Sequence, residues 1–359
     1  TFVTTTIADN GKEANVNAEV EIKNETTECT DIELHQRITD NKGKVVAVTK
    51  DKFRINNLET RSIHTCLTIS EVRLWSLEDP HLYHLYTEIW RNGKQIDSYE
   101  TRFGVRTIRF DADKGFFLNG KRVQLQGVCC HQDHAGVGAA VPDRLNFWRI
   151  ERLKEYGVNA YRASHNPPTV AVLEACDSLG MLVMDEMRVL SSSNEGLDEM
   201  KTVIRRDRNH PSIILWCMGN EEPAIQGNDK GRMILRRMKE IQHKMDPTRL
   251  CTAAMNGSWG EGFTYEADVQ GANYYHIGNI DEVHKNFPDL PCIFTEEAST
   301  VTTRGIYETS ASKGFHQAYD HDRPGWGATA QEWMRYVDAR KFVAGAFVWT
   351  GFDYLGEPT

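Results

Sequence analysis

A chain of 359 residues is too long for one small domain and long enough for a large barrel with an accessory module. Apolar residues make up 40% of it, enough for a core, and its formal charge of -9 argues against a nucleic-acid partner, because phosphate binding needs a basic surface. No apolar run approaches the roughly 20 residues of a membrane span and the opening TFVTTTIADN does not read as a signal peptide, so a soluble chain without membrane contact is expected, its compartment open.

From Thr1 to about Arg109 the pattern has period two, as in ANVNAEVEIKN, KVVAVTK, SIHTCLTI and HLYHLYTEIW. Alternation of this kind describes half-buried strands, and polar turns such as Asp40-Asn41-Lys42-Gly43 between them predict a β-sandwich over residues 1–110. Past Asp111 the rhythm changes to short apolar runs alternating with segments charged at three- and four-residue spacing. Strands are expected at Val123 to Val128, Ala160 to Ala163, Leu182 to Asp185, Ile213 to Met218, Leu250 to Ala254, Val269 to Ala272, Ile293 to Thr295 and Val343 to Val348. Helical segments lie between most of them, as in DRLNFWRIERLKEYG and GNDKGRMILRRMKEIQHKM. The fold class predicted is therefore multidomain, β followed by α/β, with a (β/α)8 barrel over 111–359. A doubly wound open sheet is the alternative, disfavoured because no glycine-rich dinucleotide fingerprint follows the first strand.

The eight cysteines have neither metal-finger spacing nor a short disulfide framework, and most are expected to be buried thiols. A barrel makes a stronger demand, that reactive residues collect where its strands end. After the successive strands come CCHQDH, YRASHNPP, DEMR, GNEEP, then NYYH, EEAS and WTGFDY, with the fifth strand offering only Met255, Asn256 and Trp259.

Glu221 closes the fourth strand and Glu296 the seventh, so both belong at one mouth. Two carboxyl groups facing across a cleft are equipment for breaking an acetal: one acid protonates the departing oxygen while the other, ionised, attacks the anomeric carbon. Each raises the other's pKa, so Glu221 is expected to hold its proton near neutrality. Asn220 offers a neutral amide to a sugar hydroxyl without adding a third negative charge, or else serves as a turn or N-cap residue. Glu222 and Glu297, directly after the two acids, should point away from the site, behind it or at the surface.

The stretches GVNAYRASHNPP, MDEMR, RRDRNHPSIILWCMGNEE and FVWTGFDYLGEPT together resemble glycoside hydrolase family 2, nearest to its β-galactosidase branch. The resemblance implies an immunoglobulin-like sandwich before the barrel, a retaining mechanism, Glu221 as general acid/base and Glu296 as nucleophile. It further implies that His131 and His165 meet the substrate, that Arg162 lies near the nucleophile, that Tyr274 or its neighbour Tyr275 touches it, and that Trp349 floors the sugar pocket. Strand-end residues such as His131, Arg162 and Trp349 also have structural readings, as packed core or salt bridge.

Departures from the pattern carry expectations of their own. Metal-dependent members place a carboxylate and a histidine just after the third strand, where this chain has Leu190 and Ser192, so no metal and no cofactor is expected. A jelly-roll domain should precede Thr1 and an eighth helix should follow the last strand, which suggests a fragment. The predicted partner is an oligosaccharide or other glycoside, and a homo-oligomer is left open. An exo-acting β-galactosidase leads; β-glucuronidase follows, since the asparagine-lysine pair that reads a sugar carboxylate is not found after the eighth strand. A carbohydrate-binding barrel without catalysis is the alternative from another class, disfavoured by the presence of both Glu221 and Glu296.

Overall fold

The structure is a computed structural model that describes residues 1–354 apart from Val301 and Asp322; the end of the last family-like motif, 355–359, lies outside the described residues. Two compact units make up the chain, one of Thr1–Thr107 with Arg206–Pro211, the other of Ile108–Arg205 with the chain from Ser212 onward.

The first unit is an immunoglobulin-like sandwich. Strands β1 (Phe2–Ile7), β2 (Glu13–Lys23) and β5 (Thr60–Ser70) form one antiparallel sheet, in the order β1-β2-β5. Strands β3 (Thr30–Thr39), β4 (Val45–Ile55), β6 (Tyr83–Arg91) and β7 (Lys94–Phe103) form the other, in the order β4-β3-β6-β7. The alternation in the sequence is the alternation in space: Ala14, Val16, Ala18, Val20 and Ile22 of β2 face Ile32, Leu34 and Ile38 of β3, while the residues between them mostly face solvent. Asn92 and Gly93 join β6 to β7 with φ of 50° and 74°, the two positive values that a tight hairpin of this twist requires.

The second unit begins with a small antiparallel sheet, β8 (Ile108–Asp111), β9 (Gly115–Leu118) and β10 (Lys121–Val123). The first barrel strand therefore starts two residues later than expected, because Val123 is paired with Phe116 instead. The closed barrel runs through β11 (Leu125–Cys130), β12 (Ala160–Ala163), β13 (Leu182–Glu186), β14 (Ile213–Asn220), β15 (Leu250–Met255), β16 (Gln270–Asn273), β17 (Cys292–Ala298) and β18 (Val343–Trp349). Its strands are buried on both faces, as parallel strands under helices must be, and so they read as apolar runs without alternation.

Helices α1 (Asp143–Glu155), α2 (Val170–Leu179), α3 (Asn194–Asp207), α4 (Asp229–Met245), α5 (Ile280–Asn286) and α6 (Ala330–Asp338) each lie between two barrel strands, as the charged segments of the sequence predict. Local chemistry sets their starts: the Asn228 side chain accepts from Gly231 N–H at α4, and Thr329 and Glu332 exchange bonds in a capping box at α6. After β15 only a short 3-10 turn, Gly262–Tyr265, follows, at the strand whose end offered the least chemistry. Among the described residues no helix is long and apolar enough to cross a membrane. All eight cysteines are free thiols, six of them buried.

Candidate active site

Barrel register decides which side chains look inward. Cys129 of β11 pairs with Arg162 of β12 and with Trp349 of β18; Arg162 pairs with Met184 of β13, two residues before Glu186; Glu186 pairs with Cys217 of β14. With a period of two, His131, Glu186, Gly219 and Glu221 continue these inward rows to the C-terminal mouth. Gly219 has a packing reason of its own, since a Cβ there would meet the Leu190 side chain at 3.0 Å. Glu221 then leaves the strand with φ of 47°, its N–H still bonded to Ala254 O at 2.9 Å, in a left-handed conformation uncommon for a residue with a side chain.

Glu296 is 4% exposed and is held from two sides. Arg162 Nη1 donates to its Oε2 at 2.9 Å, and the Tyr274 hydroxyl donates to its Oε1 at 2.5 Å. Tyr274 reaches it because its own backbone is left-handed (φ 63°) and its N–H is bonded to Glu296 O. Arg162 is fully buried, and all three of its nitrogens are engaged: Nε with Glu186 Oε2 at 2.6 Å, Nη1 also with Thr295 O at 2.9 Å, Nη2 with Asn220 Oδ1 at 2.7 Å. Burial alone would make the guanidinium easier to deprotonate, but the charges of Glu186 and Glu296 around it and the neighbouring Cys129 outweigh that and raise it well above its ordinary value.

Glu221 has different company. Asn273 Nδ2 donates to its Oε1 at 2.8 Å, and no cation is bonded to it among the described residues. Burial and, next, the charge of Glu296 raise its carboxyl above the ordinary value, against the pull of the Asn273 amide. Asn220, beside it, turns its carbonyl oxygen to Arg162 and Asn273, which leaves its amide hydrogens for another acceptor.

Aromatic rings wall the mouth. His165 stacks on Trp349, with ring centroids 5.0 Å apart and planes 8° from parallel, and meets Glu186 Oε1 through Nδ1 at 2.7 Å. His131 stands edge-on to both rings and lies flat on Tyr354 at 4.1 Å. Tyr354 in turn accepts from Trp349 Nε1 at 3.2 Å. The assembly is a buried ion-pair network under an aromatic rim, with two carboxyl groups of unlike environment at the centre, an arrangement suited to acid-assisted cleavage of a polar, ring-shaped substrate.

Two family models match the chain: Glycosyl hydrolases family 2 over residues 1–106, and the TIM barrel domain of the same family over residues 111–359. The chain belongs to glycosyl hydrolase family 2. It is 32% identical, over an alignment of 422 residues, to a protein named β-galactosidase BoGH2A from Bacteroides ovatus, covering all of this chain and 49% of that one. Identity to a β-glucuronidase from Bacteroides fragilis is 28%, covering 94% of this chain and 53% of the relative. Among solved structures, a family 2 member from Bacteroides cellulosilyticus superposes with a TM-score of 0.85 at 31% identity, covering 98% of this chain and 45% of that chain. A Bacteroides uniformis β-glucuronidase gives 0.81 at 25%, covering 97% and 45%. The chain spans about half the length of each of these two curated relatives.

In this family 2 barrel, His131, Arg162, His165, Asn220, Glu221, Tyr274, Glu296 and Trp349 meet at one mouth. Tyr274 is the tyrosine at Glu296; Tyr275 turns its ring to Tyr336, and its N–H bonds Glu297 Oε1 at 2.6 Å. Glu297 does face away from the mouth, yet it is wholly buried and not a surface residue, and burial pushes its carboxyl up to about 8. The sequence placed Glu186, Asn273 and Tyr354 at strand ends, in DEMR, NYYH and WTGFDY, without singling them out. Glu186 carried a signal, since a period of two from Leu182 puts it on the inward row.

The residues at the expected metal position do not suit a magnesium ion: Leu190 is packed in the core and Ser192 is exposed. One trio elsewhere, His243, Cys251 and Asp268, has ligand-type atoms within 4.8 Å of one another. Its Asp268 already receives Lys239 Nζ at 2.8 Å and His243 Nε2 at 2.7 Å, and burial pushes the Cys251 thiol well up, which makes the group a salt-bridge cluster and a poor cation site.

Proposed function

We propose that this barrel is the catalytic part of a retaining exo-β-glycosidase that releases terminal β-galactosyl residues. In the first step a Glu296 oxygen attacks the anomeric carbon as the glycosidic C–O bond breaks, and Glu221 delivers its proton to the departing oxygen. In the second, Glu221 takes a proton from water, the hydroxide oxygen bonds the anomeric carbon, and the ester to Glu296 breaks, which restores both groups. Trp349 supplies an apolar face for the pyranose, and Asn220, His131 and His165 supply polar contacts. The observation that carries this reading is the unlike pair: Glu296 bonded to a guanidinium and a phenol, Glu221 bonded to an amide and raised by burial and by Glu296.

A second reading, β-glucuronidase, draws support from relatives of that name. Against it, the Arg162 guanidinium is fully buried and four of its five N–H groups go to Glu186, Glu296, Asn220 and Thr295 O, which leaves it poorly placed to read a sugar carboxylate. Chromogenic β-galactoside, β-glucuronide, β-glucoside and β-mannoside substrates, compared by kcat/KM, test the choice. The galactoside is expected to lead; preference for the glucuronide would overturn the sugar assignment and leave the carboxylate pair standing.

A further inference from the structure

Glu186, at the end of β13, is wholly buried and has both oxygens in use: Oε2 accepts from Arg162 Nε at 2.6 Å, and Oε1 meets His165 Nδ1 at 2.7 Å. An arginine keeps its protons, so Oε2 is an acceptor. Burial alone would push this carboxyl up, but Arg162 and His165 together hold it below its ordinary value, so it is ionised and Oε1 accepts as well. The hydrogen between Oε1 and Nδ1 therefore sits on the ring. Arg162 Nη2, which gives one hydrogen to Asn220 Oδ1 at 2.7 Å, is also near Nδ1, but at 3.4 Å that contact is far weaker than the 2.7 Å contact of Nδ1 with Glu186 Oε1.

A neutral imidazole carries one N–H, and with Nδ1 protonated its Nε2 is a bare acceptor. Nε2 lies 4.0 Å from Glu296 Oε2, and the ring is fixed by its stack on Trp349. The charged groups that act on the ring and its carboxylate come from four strands: Arg162 from β12, Glu186 from β13, Glu221 from the end of β14 and Glu296 from β17.

We propose that Glu186 is a positioning residue that locks His165 in its Nδ1-protonated form, so that Nε2 accepts a hydrogen bond from a sugar hydroxyl held beside Glu296. The proposal rests on Glu296 and Glu221 being the catalytic pair and adds the hydrogen-bond polarity of the adjoining subsite. A hydroxyl satisfies Nε2; an acceptor-only group such as a carboxylate would set acceptor against acceptor and be rejected.

Nitrogen NMR of protein labelled with 15N-histidine, with the His165 signals identified by their loss in His165→Gln, reads the tautomer directly at about pH 8, where an ordinary imidazole is neutral. The parent is expected to show Nδ1 protonated and Nε2 bare. In Glu186→Gln the amide oxygen stays on Arg162 Nε and the amide hydrogens turn to Nδ1, so the proton moves to Nε2 and kcat/KM falls roughly 10- to 100-fold. A protonated Nε2 in the parent overturns the proposal even if the variant fails to fold. An unmoved tautomer in a folded variant, or full kcat/KM with the tautomer flipped, overturns it too. Glu296→Gln separates this from the reading beneath it: there hydrolysis should vanish with the His165 tautomer unchanged, and surviving hydrolysis would defeat the catalytic pair instead.

Discussion

Glu221 and Glu296 are the same residue type with opposite surroundings, and the surroundings assign the work. A guanidinium and a phenolic O–H on Glu296 favour a group that carries negative charge and then forms a bond. An amide on Glu221, with burial and Glu296 raising its carboxyl, favours a group that holds a proton and gives it up as the charge opposite disappears. Asn273 opposes that rise, which gives a signed test. Asn273→Ala removes the hydrogen bond that stabilises the Glu221 carboxylate, so the carboxyl rises further and the alkaline limb of kcat/KM moves to higher pH. A limb that stayed in place or moved down would show that Glu221 is not the group titrating there.

At the scale of the element, β17 carries two carboxyl groups in succession, one on each face. Glu296 looks into the barrel and Glu297 looks outward, where it accepts the N–H of Tyr275 and so fixes the chain just after Tyr274. Its Oε2 has no hydrogen-bond partner among the described residues, and its carboxyl stands at about 8, against about 4.3 for an unfolded chain. Because the folded state binds this proton more tightly, the stability it contributes is fully present below the unfolded value and is lost as pH rises through about 8. Glu297→Gln keeps the acceptor for Tyr275 and cannot ionise. The Tm of the variant relative to the parent is therefore expected to be higher by roughly 5 °C at pH 9 than at pH 4. A constant difference across that range would mean that Glu297 titrates normally.

The strands were legible for a physical reason: barrel strands are apolar on both faces and short, and the helices between them repeat charge at three and four residues. The small sheet β8–β10 was not, because Val123 continues the apolar run of β11 and only pairing with Phe116 assigns it elsewhere. Glu221 and Glu296 stood out because each comes within one or two polar or small residues of the end of an apolar run. Glu186 and Asn273 matter through partners on other strands, Arg162 and His165 for the one, Glu221 for the other, and such cross-barrel neighbours cannot be read from a strand taken alone.

For the whole molecule, the barrel gathers residues from 131 to 354 into one mouth, while the sandwich before it is built on ordinary two-sheet packing. Leu190, packed beneath Gly219, puts apolar surface where a metal-dependent relative would need a carboxylate, so hydrolysis should be unchanged after dialysis against a chelator. Loss of turnover that magnesium restored would place a metal in the site after all. The central assignment is tested most directly by trapping the glycosyl-enzyme with a 2-deoxy-2-fluoro-β-galactoside bearing a dinitrophenolate leaving group, followed by mass spectrometry of the labelled peptide. The fluorine slows both steps and the leaving group hastens the first, so the ester accumulates. The label is expected on Glu296; finding it on Glu221, Glu186 or Glu297 would contradict the account.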